Sequence, residues 1–98
     1  MLRPIPAEFG LSRNRPNPFN PVTNIGYQLA EVGQVRLHIY NVLGQEVRRL
    51  VQEEQEAGYY RAAWDGRDNS GRGLSTGVYI YRMTTGRYVA TEKMMLLK

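Results

Sequence analysis

A chain of 98 residues has room for one domain, and its 42% hydrophobic and 22% charged residues are typical of a folded globular protein. The sequence has no cysteine, which excludes disulfides and thiolate metal sites. Its formal net charge of +4 comes from basic residues scattered along the chain, whereas nucleic-acid modules usually cluster them beside stacking aromatics. No apolar run is long enough to span a bilayer. We therefore expect no nucleic-acid partner and no transmembrane segment.

Two proline-rich stretches precede the first strong strand pattern. Residues 1–10 show no hydrophobic periodicity, so we predict a linker there and one domain over residues 11–98. The second stretch predicts a rigid turn that presents one aromatic side chain in a fixed orientation, and it consists of Pro16, Asn17, Pro18, Phe19, Asn20 and Pro21. A PxxP ligand for an SH3-type groove is the less favoured interpretation, because the turn leads directly into a strand.

Apolar residues then recur at period two, which predicts β-strands and no sustained helix. We predict strands over residues 22–30, 34–41 and 46–52. Gly44 supplies the positive φ for a hairpin between the second and third of these. Further strands follow over residues 59–64, 78–84 and 88–97, and Trp64 is the expected core anchor. With a short piece near Leu11 the count is about seven antiparallel strands, which favours an all-β, immunoglobulin-like β-sandwich over a small barrel.

Residues with candidate chemistry do not assemble into a recognisable site. The loop 65–73 (DGRDNSGRG) contains Asp65, but calcium-loop spacing would place an oxygen ligand where Arg67 stands, so Asx turns are favoured over a calcium site. His38 is the only histidine and is predicted on an outward face. Three glutamates are predicted in a solvated polar turn: Glu53, Glu54 and Glu56. We therefore expect no catalytic residue, no cofactor and no metal, and a protein that is not an enzyme.

Four blocks of sequence resemble one known family, in its order and spacing. They are residues 15–21 (RPNPFNP), 35–47 (VRLHIYNVLGQEV), 64–82 with WDGRD at its start and STGVYIYR at its end, and 93–98 (KMMLLK). This arrangement resembles the C-terminal sorting domains of the Bacteroidota type IX secretion system. Trp64 to Arg82, which includes Asp65 and Gly66, also resembles the immunoglobulin-like domain of the flagellar hook-capping protein. The proline-rich opening and the lysine-flanked terminal strand favour the sorting domain.

The sorting-domain resemblance implies a role in protein transport. It implies an upstream cargo, recognition by an outer-membrane type IX translocon, and removal or anchoring by a sortase-like peptidase that cuts near or before Leu11. The protein would then be secreted or located at the cell surface, after passage through the periplasm and the outer membrane. In the family the signal lies largely in the final strands, which gives these candidates here: Gly77, Val78, Tyr79, Tyr81, Lys93, Met94, Leu96 and Lys98.

Other roles for an immunoglobulin-like domain stay open at this point. A spacer or a carbohydrate-associated module would position or attach a neighbouring secreted enzyme, and a hook-capping-type domain would serve in assembly. An edge strand at the terminus would also allow strand addition, either to a receptor or between two copies of the chain.

Overall fold

The computed structural model describes residues 5–98 and has an immunoglobulin-like β-sandwich fold. Residues 1–4 of the predicted linker lie outside this range. The seven strands are β1 (Gly10–Leu11), β2 (Thr23–Leu29), β3 (Gly33–Tyr40), β4 (Glu46–Gln55), β5 (Gly58–Trp64), β6 (Gly77–Thr85) and β7 (Tyr88–Leu96). They form a three-stranded sheet in the order β1-β2-β5 and a four-stranded sheet in the order β4-β3-β6-β7. All strand pairs are antiparallel, as the sequence predicts.

The core lies between the two sheets and is built by alternation along each strand. Every second residue of β2, β3 and β6 points inward, which is the consequence of the pleat. Trp64 is 0% exposed and contacts Tyr79 edge to face, with ring centroids 5.5 Å apart. The prediction of a core tryptophan is thus confirmed. The other buried hydrophobic residues are Phe19, Ile25, Tyr27, Leu29, Val35, Leu37, Ile39, Tyr81, Met83, Met94 and Leu96.

β4 is longer than predicted, and the difference corrects the assignment of two glutamates. Glu53 and Glu54 pair with Val35 and Gln34 of β3, so they lie within a strand and not in a polar turn. The sequence gives no hydrophobic signal here because β4 is an edge strand whose last residues are largely exposed. Backbone hydrogen bonds extend it. Glu56, one residue beyond, lies in the connection to β5 as predicted.

The hairpin between β3 and β4 confirms the predicted role of Gly44. Its φ is +81°, a left-handed value that glycine adopts without steric cost. Asn41 closes the loop from the other side, since its Oδ1 accepts hydrogen bonds from the backbone N–H groups of Leu43 and Gln45, both at 3.0 Å. Such an Asx arrangement is what the composition of the loop favours.

Pairing of the N-terminal region begins at Gly10, which lies opposite Gln28 of β2. The chain then continues along the same strand, because Ser12 N donates to Gly26 O at 2.9 Å and Arg15 bridges to Asn24. Phe9 stacks on Tyr88 with centroids 5.5 Å apart.

In the part of the chain that the structure describes, no helix is long and apolar enough to cross a membrane.

Candidate functional site: the terminal strand and its surroundings

The proline-rich turn packs directly against the end of β7. Phe19 N donates to Met95 O at 3.0 Å, and Leu97 N donates to Phe19 O at 3.0 Å, so Phe19 forms a parallel bridge at Leu96. Met95 N donates to the Asn17 side chain at 2.9 Å. The Phe19 side chain is 1% exposed and contacts Trp64, so the turn directs it into the core. Pro18 and Pro21 are exposed, but the backbone of Phe19 between them is hydrogen-bonded to the end of β7.

The loop after β5, residues 65–73, also packs against the end of β7. Trp64 Nε1 donates to Arg67 O at 2.9 Å, which holds the loop over the core. Gly66 has a φ of +75°, and a Cβ at this position would lie 3.3 Å from Leu96 Cδ1. The backbone of residue 66 therefore needs glycine for its conformation and for its close approach to β7.

Hydrogen bonds within this loop occupy the carboxylates that suggested calcium. Asp68 Oδ1 accepts from Ser70 N, Ser70 Oγ and Arg72 N at 3.0, 2.7 and 3.0 Å. The bond from the Ser70 hydroxyl is the main reason that the pKa of Asp68 lies below its usual range. Asp65 accepts from Arg48 and from Arg67 N. The bonds from within the loop are the Asx-turn bonds favoured by the sequence, whereas Arg48 reaches Asp65 from β4. No group of three or more potential His, Cys, Asp or Glu ligands occurs among residues 5–98.

His38 lies partly buried on the outer face of the four-stranded sheet. Its side chain is 12% exposed, and its Nδ1 lies 3.1 Å from Glu46 Oε1 while its Nε2 lies 3.0 Å from Gln52 Oε1. Both neighbours belong to β4, which pairs with β3 at this point. His38 therefore links two strands, which is a structural role for a residue on the predicted outward face.

The candidate sorting residues divide into a buried and an exposed group. Four of them belong to the core and are at most 5% exposed: Tyr79, Tyr81, Met94 and Leu96. Val78, by contrast, is 36% exposed, and Lys93 and Lys98 are exposed as well. Gly77 begins β6 opposite Leu96. A receptor that meets the folded domain is therefore able to contact the exposed group and the backbone but not the four core side chains.

An apolar surface lies on the outside of β6 and β7 near the end of the chain. Val78 is paired with Met95, and Ile80 is paired with Lys93. All four side chains point away from the core, because they alternate with buried residues of the same strands. We call these four residues, Val78, Ile80, Lys93 and Met95, the terminal patch.

The outer edge of β7 is hydrogen-bonded at one end only. The backbone of Met95 and the N–H of Leu97 bond to the proline-rich turn. Val89, Thr91 and Lys93 direct their backbone groups to the same edge, since alternate residues of a strand do so. Among residues 5–98, no backbone hydrogen bond from outside the sheet reaches these three residues. We call this unpaired stretch the open edge of β7, and β1 lies close to part of β7 without pairing with it.

Asn14 is a buried polar residue that the sequence does not single out. It is 2% exposed, and its Nδ2 donates to Thr23 Oγ1 at 3.0 Å and to Pro16 O at 3.2 Å. Thr23 Oγ1 donates in turn to Pro16 O at 2.8 Å. This small network fixes the proline-rich turn to the start of β2. An asparagine among exposed polar neighbours carries no local signal of burial, because its partners are up to nine positions away.

Comparison with known proteins decides the family. The family model described as the FlgD Ig-like domain matches residues 19–88, well over half of the chain. The chain belongs to the FlgD Ig-like domain family. The resemblance to the hook-capping domain that the sequence suggests for Trp64 to Arg82 is therefore confirmed and extends over a longer segment. No curated protein sequence matches this FlgD Ig-like domain.

A solved structure confirms the fold of this FlgD Ig-like domain. It is similar to the crystal structure of dimeric latent PorU from Porphyromonas gingivalis, with a TM-score of 0.71 and 18% sequence identity. The similarity covers 87% of this chain but 9% of that chain. At this identity the likeness shows a shared fold alone. This chain therefore spans a small part of the length of that solved structure.

Proposed function

We propose that this FlgD Ig-like domain is a non-catalytic C-terminal sorting domain, which directs an upstream cargo through the type IX secretion system to the cell surface or the medium. The observation that carries the proposal is the contact between the proline-rich turn and the end of β7. These two segments are the opening and closing blocks of the sorting-domain resemblance. Their hydrogen bonds give a reason for both blocks to be present in one domain.

Recognition would take place at the terminal patch and the adjoining open edge of β7. An edge strand offers backbone donors and acceptors to a partner strand, and neighbouring side chains supply specificity. Val78 and Met95 provide apolar contact, and Lys93 adds a positive charge beside them. The partner would be the outer-membrane translocon. A sortase-like peptidase would then act near or before Leu11, which lies in a short strand at the start of the domain.

The test is the export of a reporter. The whole chain is fused behind a fluorescent protein that carries an export signal, and the fusion is produced in a gliding Bacteroidota host and in a translocon-null strain. We expect fluorescence in the medium or at the cell surface of the first strain only. Retention in the periplasm of both strains would contradict the sorting role.

A deletion of residues 93–98 would be a poor control in this assay. It removes Met94 and Leu96, which are 2% and 1% exposed, and it removes the backbone partner of Phe19. Loss of export would then report loss of folding. Substitutions of exposed residues in the terminal patch avoid this problem.

The second candidate is an accessory immunoglobulin-like spacer, a carbohydrate-associated module of a secreted enzyme or a hook-capping-type assembly domain. The family match favours it, because residues 19–88 include β2 to β6 but leave out the closing block of the sorting-domain resemblance, residues 93–98. Periplasmic retention together with binding to a glycan or to a second copy of the chain would support this candidate.

A further inference from the structure

A groove with three arginines crosses the outer face of the three-stranded sheet. It lies on the opposite side of the domain from the terminal patch, since that patch belongs to the four-stranded sheet. Its volume is about 670 Å³, and it is open to solvent. The residues that line it are Ser12, Arg13, Arg15, Asn24, Gly26 and Arg61.

The register of the sheet explains the shape of the groove. Gly26 lies opposite Arg61 of β5 on one side, and it is hydrogen-bonded to Ser12 on the other. Gly26 does not have a positive φ, and a Cβ there would meet nothing closer than Ser12 Oγ at 3.5 Å. Neither backbone conformation nor crowding therefore requires glycine at this position. Its effect is to leave the floor of the groove without a side chain.

The charge of the groove is uncompensated. No carboxylate of residues 5–98 lies within 4 Å of the guanidinium groups of Arg13, Arg15 or Arg61. The arginines around the loop after β5 differ in this respect, because Arg48 and Arg67 lie beside Asp65. Three unpaired guanidinium groups around one groove attract anions, and guanidinium matches carboxylate, sulfate and phosphate groups in geometry.

We infer that this groove binds the anionic groups of an acidic polysaccharide. Ser12 and Asn24 add a hydroxyl and an amide for sugar hydroxyl groups. Tyr59 is 60% exposed, and it lies on the same outer face two residues from Arg61, where its ring is available to stack on a sugar. Single-stranded nucleic acid is the less suitable ligand, because it requires several stacking aromatics and Tyr59 is the one exposed aromatic of β2 and β5.

The test compares two triple variants that lose the same charge. One removes the groove arginines (Arg13→Gln, Arg15→Gln and Arg61→Gln), and the other removes three exposed arginines of the opposite sheet and its adjoining turn (Arg36→Gln, Arg82→Gln and Arg87→Gln). Binding to polygalacturonate, dextran sulfate and neutral dextran is measured by titration calorimetry at low salt. We expect the groove variant to bind either acidic polymer about tenfold or more weakly than the control variant, and the neutral polymer not to bind.

A third variant tests the groove at constant charge. Gly26→Val fills the floor, so we expect binding to fall by about tenfold while all arginines are kept. Thermal unfolding of each variant shows whether the domain is folded, and Gly26→Ala serves if the valine variant is not. Equal losses in the two arginine variants, binding unaffected by filling the groove, or tighter binding of a single-stranded oligonucleotide than of the acidic polysaccharides would each overturn the proposal. The outcome is independent of the export assay, which depends on the opposite sheet.

Discussion

Gly66 shows how one residue connects the loop after β5 to the terminal strand. Replacement by alanine places a Cβ in a left-handed conformation and against Leu96. We expect Gly66→Ala to lower the free energy of unfolding by about 2–4 kcal/mol, and urea denaturation measures this. Gly44→Ala is the matched control, because φ is similar but nothing lies within 4 Å of the added Cβ. It should cost about 1 kcal/mol, and equal losses in both variants would show that the contact with Leu96 contributes nothing.

Tyr81 makes the stability of the domain dependent on pH. Burial, followed by the nearby Glu92 carboxylate, raises the pKa of Tyr81 to about 12, and its hydroxyl donates to Ser12 O at 2.6 Å. A tyrosine in the unfolded chain titrates near pH 10. Because the pKa is raised on folding, the stabilisation is complete below pH 10 and is lost as the pH rises towards about 12. A shift of this size changes the free energy of unfolding by about 3 kcal/mol between pH 10 and pH 12.

We therefore expect the free energy of unfolding, measured in urea, to fall steadily above about pH 10. Tyr81→Phe should lose the hydroxyl bond at every pH and should remove most of the alkaline decrease. Tyr27, whose pKa is also raised by burial, contributes to the decrease that is left. An alkaline decrease of the same size in the phenylalanine variant would contradict the role of Tyr81.

At the scale of elements, the open edge of β7 can be tested with proline. Thr91 directs its N–H to the open edge, whereas the N–H of Glu92 faces β6, where it is paired with Tyr81. Proline is tolerated at an edge position whose N–H faces solvent, but it removes a ladder bond elsewhere. We expect Thr91→Pro to cost about 1 kcal/mol of stability and Glu92→Pro about 3 kcal/mol or more. The reverse order in urea denaturation would show that the strand edge is assigned wrongly.

The strands that the sequence predicts well are those with one buried face. β2, β3 and β6 alternate strictly, so their positions follow from period two to within one or two residues. The last third of β4 shows no such pattern, because an edge strand is also stabilised by backbone pairing. The polar sequence at the end of β4 therefore gives no periodic signal of the strand.

Contacts between distant segments lie beyond local sequence patterns. The turn around Phe19 is predictable from its prolines, but its partner Leu96 is far along the chain and no spacing rule connects them. The arginine groove also depends on contacts between distant segments, because the pairing of β5 with β2 places Arg61 in one groove with Arg13 and Arg15. Single residues of this groove carry no signal, and only the fold brings them together.

At the scale of the whole molecule, the two sheets carry different surfaces. The four-stranded sheet holds the terminal patch and the open edge of β7, and the three-stranded sheet holds the arginine groove. The core lies between the two surfaces, so we expect substitutions on one surface to leave the other intact. Export and polysaccharide binding are therefore expected to respond to separate sets of substitutions.

We propose that a translocon recognises the terminal patch of the folded domain. The most direct measurement compares export of the fluorescent fusion carrying Val78→Glu and Met95→Glu with that of a control carrying Val32→Glu and Ala63→Glu, which lie between β2 and β3 and on the outer face of β5. Val32 is 52% exposed and Ala63 is exposed as well, so their charges do not perturb the core. Thermal unfolding first establishes that both variants are folded. We predict that the patch variant stays in the periplasm while the control is exported, and normal export of a folded patch variant would contradict the claim.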